Sequence, residues 1–147
     1  MRQPGFLGTE ASLGADIALV GSVLVMIAFT VGAYLALRGR YEAHRWVQTG
    51  AAVANVLLVL GVMIPSLLAV APSDNVELPA AAFVAMPAHE LLGLSGLLFG
   101  LFVVLRGNGL VPARLKFTRY KLFMRAAYGL YLAATLVGVA VYMVLYT

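Results

Sequence analysis

The chain has 147 residues, 63% of them hydrophobic and 11% charged, with a net charge of +4 and no cysteine. No water-soluble domain of this size needs so much apolar side chain, so the composition specifies a protein whose solvent is lipid. The lack of cysteine excludes a disulfide, a thiolate metal site and a covalently attached c-type haem.

Four apolar stretches, 17–37, 46–72, 88–105 and 126–146, reach or approach the roughly 20 residues that cross a hydrocarbon core about 30 Å thick. In lipid every backbone N–H and C=O must be paired within its own segment, so these stretches are helices rather than strands. The first helix is expected to start near Ser12 or Ala15 and to stop at Leu37-Arg38-Gly39. The second begins between Glu42 and Arg45 and runs to Val70, with Pro65 bending its outer third. Ahead of the third, the apolar piece Pro79 to Met86 is followed by Pro87, which makes it a kinked extension or a short surface helix. The main span then runs from Pro87 to Leu105. Gly107-Asn108-Gly109 ends it, and the fourth helix extends from about Arg119 to Leu145. The predicted fold is all-α: one integral membrane domain over 1–147, a four-helix transmembrane bundle with helices at about 13–38, 43–70, 87–106 and 119–146. Residues 1–15 hold glycine, proline and an acid, and the first apolar run is too long for a signal sequence, so no cleaved signal is expected.

The charges are sorted between the two ends. Arg38, Arg40 and Arg45 lie between the first two spans, and Arg106, Arg114, Lys116, Arg119, Lys121 and Arg125 between the last two. Glu10, Asp16, Asp74, Glu77 and Glu90 fall toward the opposite end. Short loops rich in Arg and Lys stay in the cytoplasm, so a multi-pass protein of a bacterial inner (plasma) membrane is expected, with both basic loops inside. The N-terminus, the C-terminus and the 73–87 loop are then outside. An isoelectric point near 9.7 does not call for nucleic acid here. The cations sit where they set topology and attract anionic lipid, each worth about 1 kcal/mol near the surface. Arg38, Arg40, Arg45, Arg114, Lys116, Arg119 and Lys121 are the candidates for contact with lipid or a partner subunit. The first and third helices both end in Leu-Arg-Gly (Leu37 to Gly39, Leu105 to Gly107), which hints at two related hairpins, as in transporter repeats.

Polar residues inside the spans are the functional candidates. His44, Gln48, Ala51, Asn55, Val62 and Ser66 form one stripe of the second helix. Asn55 lies about 16 Å beyond His44, near mid-membrane, where its carboxamide bonds a neighbouring helix or contacts a ligand or proton. His89, Gly93, Gly96 and Gly100 share a face of the third helix, matched by Ala134 and Gly138 on the fourth. Small residues let backbones approach, which predicts a tight bundle without a wide channel. Toward the outer end, Asp16, Met63, His89, Glu90, Tyr142 and Met143 share one level, with Met86 close by. An ionisable group in a span is a functional candidate by default.

Three readings fit this outer group: a hydrogen-bond cluster that anchors helix ends, a His/Glu pair handling protons or contacting quinone, or a copper(I) site. The copper site would join His89 to Met63, Met86 or Met143, since thioethers favour Cu(I), although methionine in a bundle is more often filler. At the inner end, Tyr34, His44, Trp46, Gln48, Tyr128 and Tyr131 form an interfacial belt. His44 and His89 fall near opposite boundaries, so they are not expected to ligate one haem within a subunit. There is no hydrolase triad, phosphate loop or zinc ligand set, and no enzymatic activity is expected.

Ala43-His44-Arg45-Trp46-Val47-Gln48, Pro87-Ala88-His89-Glu90-Leu91-Leu92-Gly93 and Val137-Gly138-Val139 through Tyr142 to Leu145-Tyr146 occur here in combination. Over about residues 38–147 the chain resembles the CtaM/YozB-like family of small four-helix bacterial membrane proteins. The resemblance implies a role in maturing or accompanying a haem-copper terminal oxidase, and carries over His44 and His89. Further family histidines correspond to the Met63-Ile64-Pro65 region and to Lys116-Phe117-Thr118, so what the resemblance implies is an accessory or divergent member. The expected function is that of a non-enzymatic accessory or assembly protein of a respiratory complex, needing no cofactor of its own. Its partners are the bilayer and other membrane subunits, a terminal oxidase first among them, and not nucleic acid. The alternatives are an electron- or proton-transfer protein contacting quinone, copper or an intersubunit haem, and a small transporter half.

Overall fold

The computed structural model describes residues 4–70, 78–115 and 118–147, and the side chains of all of these except 69 and 70. Its helices are α1 (Leu13–Leu37), α2 (Tyr41–Leu58), α3 (Ile64–Val70), α4 (Ala82–Gly107) and α5 (Tyr120–Tyr146). A π-helical turn, Val59–Met63, makes α2 and α3 one rod. Four helical spans are thus long and apolar enough to cross a membrane, as the sequence predicts.

Helix ends follow local chemistry. Ser12 caps α1, its hydroxyl accepting from the Ala15 amide at 3.3 Å. At the other end the Arg40 amide donates back to Leu35 at 2.9 Å, around Gly39 at φ +73°. The end of α4 repeats this turn, with Leu110 donating to Leu105 at 3.0 Å around Gly109 at φ +76°. Gly39 therefore corresponds to Gly109, whereas Gly107 is still helical. The two Leu-Arg-Gly triplets occupy different positions of the same stop and are not structural equivalents.

Pro65 perturbs the second rod in a specific way. Its missing N–H and its ring both disturb the carbonyl four residues back. The chain widens one turn earlier, where the Ile64 amide reaches Val59 five residues back, and the helix then resumes through Pro65. Pro87 lies within α4, which begins at Ala82, so residues 82–86 extend the third span rather than forming a surface helix.

Packing makes two antiparallel hairpins, α1 against α2–α3 and α4 against α5. Along the first, a Cβ placed at Gly14, Gly21 or Gly32 would strike Ser66, Leu58 or Gln48 in turn. These pairs hold an antiparallel register constant to within one residue. Along the second, Gly138 receives the His89 ring, a Cβ at Gly96 would lie 3.5 Å from the Tyr131 backbone, and Gly107 receives the Tyr120 hydroxyl. Here too the register is constant. The outside of the bundle carries exposed leucines on each span, Leu24, Leu57, Leu98 and Leu136, as a lipid-facing surface requires.

The glycine register is directly testable. Gly138→Leu drives a side chain into His89 and is expected to cost about 1–3 kcal/mol, the usual penalty of overpacking. A Cβ at Gly93 meets nothing within 4 Å, so Gly93→Ala is expected to be neutral or to stabilise by up to about 1 kcal/mol. Reversible unfolding in mixed micelles measures both, and equal effects would contradict the register.

Candidate functional site

The polar residues gather at three levels. At the acidic end, Asp16 in the first turn of α1 has no exposed surface. Its Oδ2 accepts from the amides of Phe6 at 2.6 Å and Leu7 at 2.8 Å, and its Oδ1 from the Tyr142 hydroxyl at 2.5 Å. Because Tyr142 gives its proton to the carboxylate, Thr9 donates to the Tyr142 oxygen, at 2.6 Å. The Gly5 amide donates to Ala11 at 3.0 Å, closing residues 5–11 into a strap over the helix ends. Gly5 lies directly above the carboxylate, where a Cβ would collide with it. A carboxyl group tolerates removal from water when donors converge on it, and three do so here.

The two imidazoles each bridge a hairpin. His89 on α4 contacts the Ala134 carbonyl of α5 through Nδ1 at 3.0 Å, its ring seated over Gly138. His44 on α2 contacts the Gly32 carbonyl of α1 through Nδ1 at 2.7 Å, beside Gln48, which donates to the Phe29 carbonyl at 3.1 Å. A carbonyl only accepts, so Nδ1 carries the proton in both rings. The two rings belong to different hairpins.

At mid-bundle the Tyr131 hydroxyl lies 3.3 Å from Asn55 Oδ1 and 3.4 Å from the Ser22 carbonyl, so its one proton links three helices. Its ring meets Phe29 edge-on at 4.8 Å. Below this knot the hairpins part around a cavity of about 960 Å³. It runs from Asn55 and Tyr131 to Arg45, Lys121 and Arg125 at the basic end, and His44 is on its wall. Ala33, Ala52, Gly96 and Gly100 line it. The small residues predicted to tighten the bundle throughout instead leave this half open.

The basic end carries the expected belt. Tyr34 and Trp46 are exposed, with Arg38 5.0 Å above the first ring and Arg45 5.4 Å above the second. Arg40, Arg114, Arg119 and Lys121 are exposed as well, while Lys116 lies outside the described residues. Among the described residues, Asn108 Nδ2 to Thr49 at 3.0 Å and Thr30 to Tyr128 at 2.9 Å tie the hairpins together toward this end.

The outer group predicted from sequence is thus divided. Asp16 and Tyr142 meet, but His89 clasps α5 at Ala134, Glu90 and Met143 are exposed, and Met63 and Met86 are half-buried. Among the described residues no three His, Asp or Glu side chains come together as metal ligands. Tyr131, assigned to the interfacial belt, works at mid-bundle instead. Thr9 and the amides of Phe6 and Leu7 carry no sequence signal, because a lone Asp in a first turn reads simply as a charge favourable to that helix end.

No family model, curated protein or solved structure matches this chain.

The Asp16 lock is expected to protect the amides of Phe6 and Leu7 from hydrogen exchange. Asp16→Ala removes the acceptor and should speed their exchange about tenfold or more while the core of α4–α5 is unchanged. Unchanged exchange at both amides would contradict the strap.

Proposed function

We propose that this is a non-enzymatic integral membrane protein that works by docking beside another membrane complex, as an assembly factor or small subunit. Likeness to the CtaM/YozB-like family points to a haem-copper oxidase-type complex of a bacterial respiratory membrane as the partner. One observation carries the reading: both imidazoles and the buried carboxylate are engaged in holding helices together. The surfaces left for function are the apolar flanks, which suit lateral contact with other helices, and the cationic end. By the distribution of positive charge that end faces the cytoplasm, with both termini outside.

A second reading, a carrier of electrons or protons, is favoured by one feature. His44 reaches the wall of the inner cavity with its Nδ1 proton already fixed on a carbonyl, the orientation that ligating histidines adopt. The third reading, a transporter half, loses its main support because the Leu-Arg-Gly triplets are out of structural register.

Mild-detergent purification of a tagged chain from its native membrane separates the readings. The expected product is colourless and brings oxidase subunits with it, and a cysteine introduced at Asn75 is labelled only from outside the cell. A Soret band or stoichiometric copper lost on His44→Ala would establish the second reading in place of the first.

A further inference from the structure

The inner cavity has the volume of a ligand site, at the upper end of the roughly 300–1,000 Å³ typical for small molecules. At its deep end Asn55 is 6% exposed, and its Oδ1 is the atom Tyr131 approaches. No described residue accepts from its Nδ2. The side chain as a whole is nine-tenths buried near mid-membrane, where a carboxamide donor without an acceptor is costly unless something in the cavity accepts from it.

The walls narrow the choice of occupant. Gly100, Ala33 and Ala52 line the cavity with small side chains, and a Cβ at Gly100 would meet nothing within 4 Å. Phe29 and Tyr131 present aromatic rings beside it. These features suit a planar head group bearing a carbonyl. Leu101 lines the cavity and is itself exposed, an apolar wall against which a hydrocarbon tail can lie. A phospholipid held at the rim by Arg45, Lys121 and Arg125 would instead lay methylenes against the Asn55 donor, leaving it unpaired. We propose that the cavity binds a prenylated quinone, its ring between the hairpins and one carbonyl accepting from Asn55 Nδ2. The site differs from the outer His89/Glu90 pair to which quinone contact was assigned from sequence. It also does not depend on which complex the protein accompanies.

The test uses the full chain in lipid micelles, titrated calorimetrically with decylubiquinone, and separately with oleate and phosphatidylglycerol as competitors. One saturable site per chain is expected. Asn55→Leu should weaken binding about tenfold or more by removing the donor. Gly100→Leu should abolish it by filling the wall, at a position where the backbone has room for the new side chain. Circular dichroism and monodisperse elution establish that each variant is folded. Should Asn55→Leu fail to fold, the Gly100→Leu result decides. Absence of saturable binding by the native chain, binding indifferent to Gly100→Leu, or equal displacement by oleate or phosphatidylglycerol would overturn the proposal.

Discussion

Lipid offers helices no hydrophobic reason to associate, because a leucine is as well solvated by an acyl chain as by another leucine. The bundle must therefore be joined by close backbone approach and by hydrogen bonds between helices. In each hairpin these devices coincide. A ring N–H reaches a carbonyl of the neighbouring helix, and a glycine at or one turn beyond that carbonyl receives the ring or its neighbour, Gly32 for His44 with Gln48 and Gly138 for His89. Such bonds average only about 0.6 kcal/mol each in membrane proteins. Their larger effect is to fix register, since a slip of one residue would put a Cβ where an imidazole or carboxamide now lies.

This division of labour explains the uneven density of the bundle. Within each hairpin Gly14, Gly21, Gly32, Gly96, Gly107 and Gly138 meet the facing helix, whereas Gly93 and Gly100 do not. Between hairpins there are ties at three levels: Tyr142 to Asp16 at the acidic end, Tyr131 to Asn55 and Ser22 at mid-depth, and Thr30–Tyr128 with Asn108–Thr49 toward the basic end. Where no tie draws them together the hairpins separate, and Gly100 and Ala52 border open volume. The 5–11 strap bonds to Asp16 at the acidic end, while the cavity reaches the basic end at Arg45, Lys121 and Arg125.

Much of the fold is legible in the sequence, because span length and hydropathy reflect the thickness of the membrane and not tertiary detail. The Ser12 cap and the Gly39 stop are local events, and both are readable as such. The stripe from His44 to Ser66 is also readable, and its members do meet α1 at both ends and between. What periodicity does not encode is which small residues are filled. Gly96 and Gly100 share a face, yet one meets the Tyr131 backbone and the other faces open space. Depth along a helix likewise places His89 and Tyr142 at similar levels but gives no azimuth, and they turn to different partners. The proline effect is half legible: Pro65 predicts a disturbance, but not that it takes the form of a π turn over Val59–Met63.

If imidazole-to-carbonyl clasps hold the hairpins, the tautomers of the two histidines are determined. Nitrogen-15 solid-state NMR of histidine-labelled protein in bilayers reads them directly. Both rings should carry a proton on Nδ1, and each should show through-space contact with its carbonyl carbon, at Gly32 or Ala134. Rings protonated on Nε2 instead, or lacking contact with those carbonyls, would contradict the account.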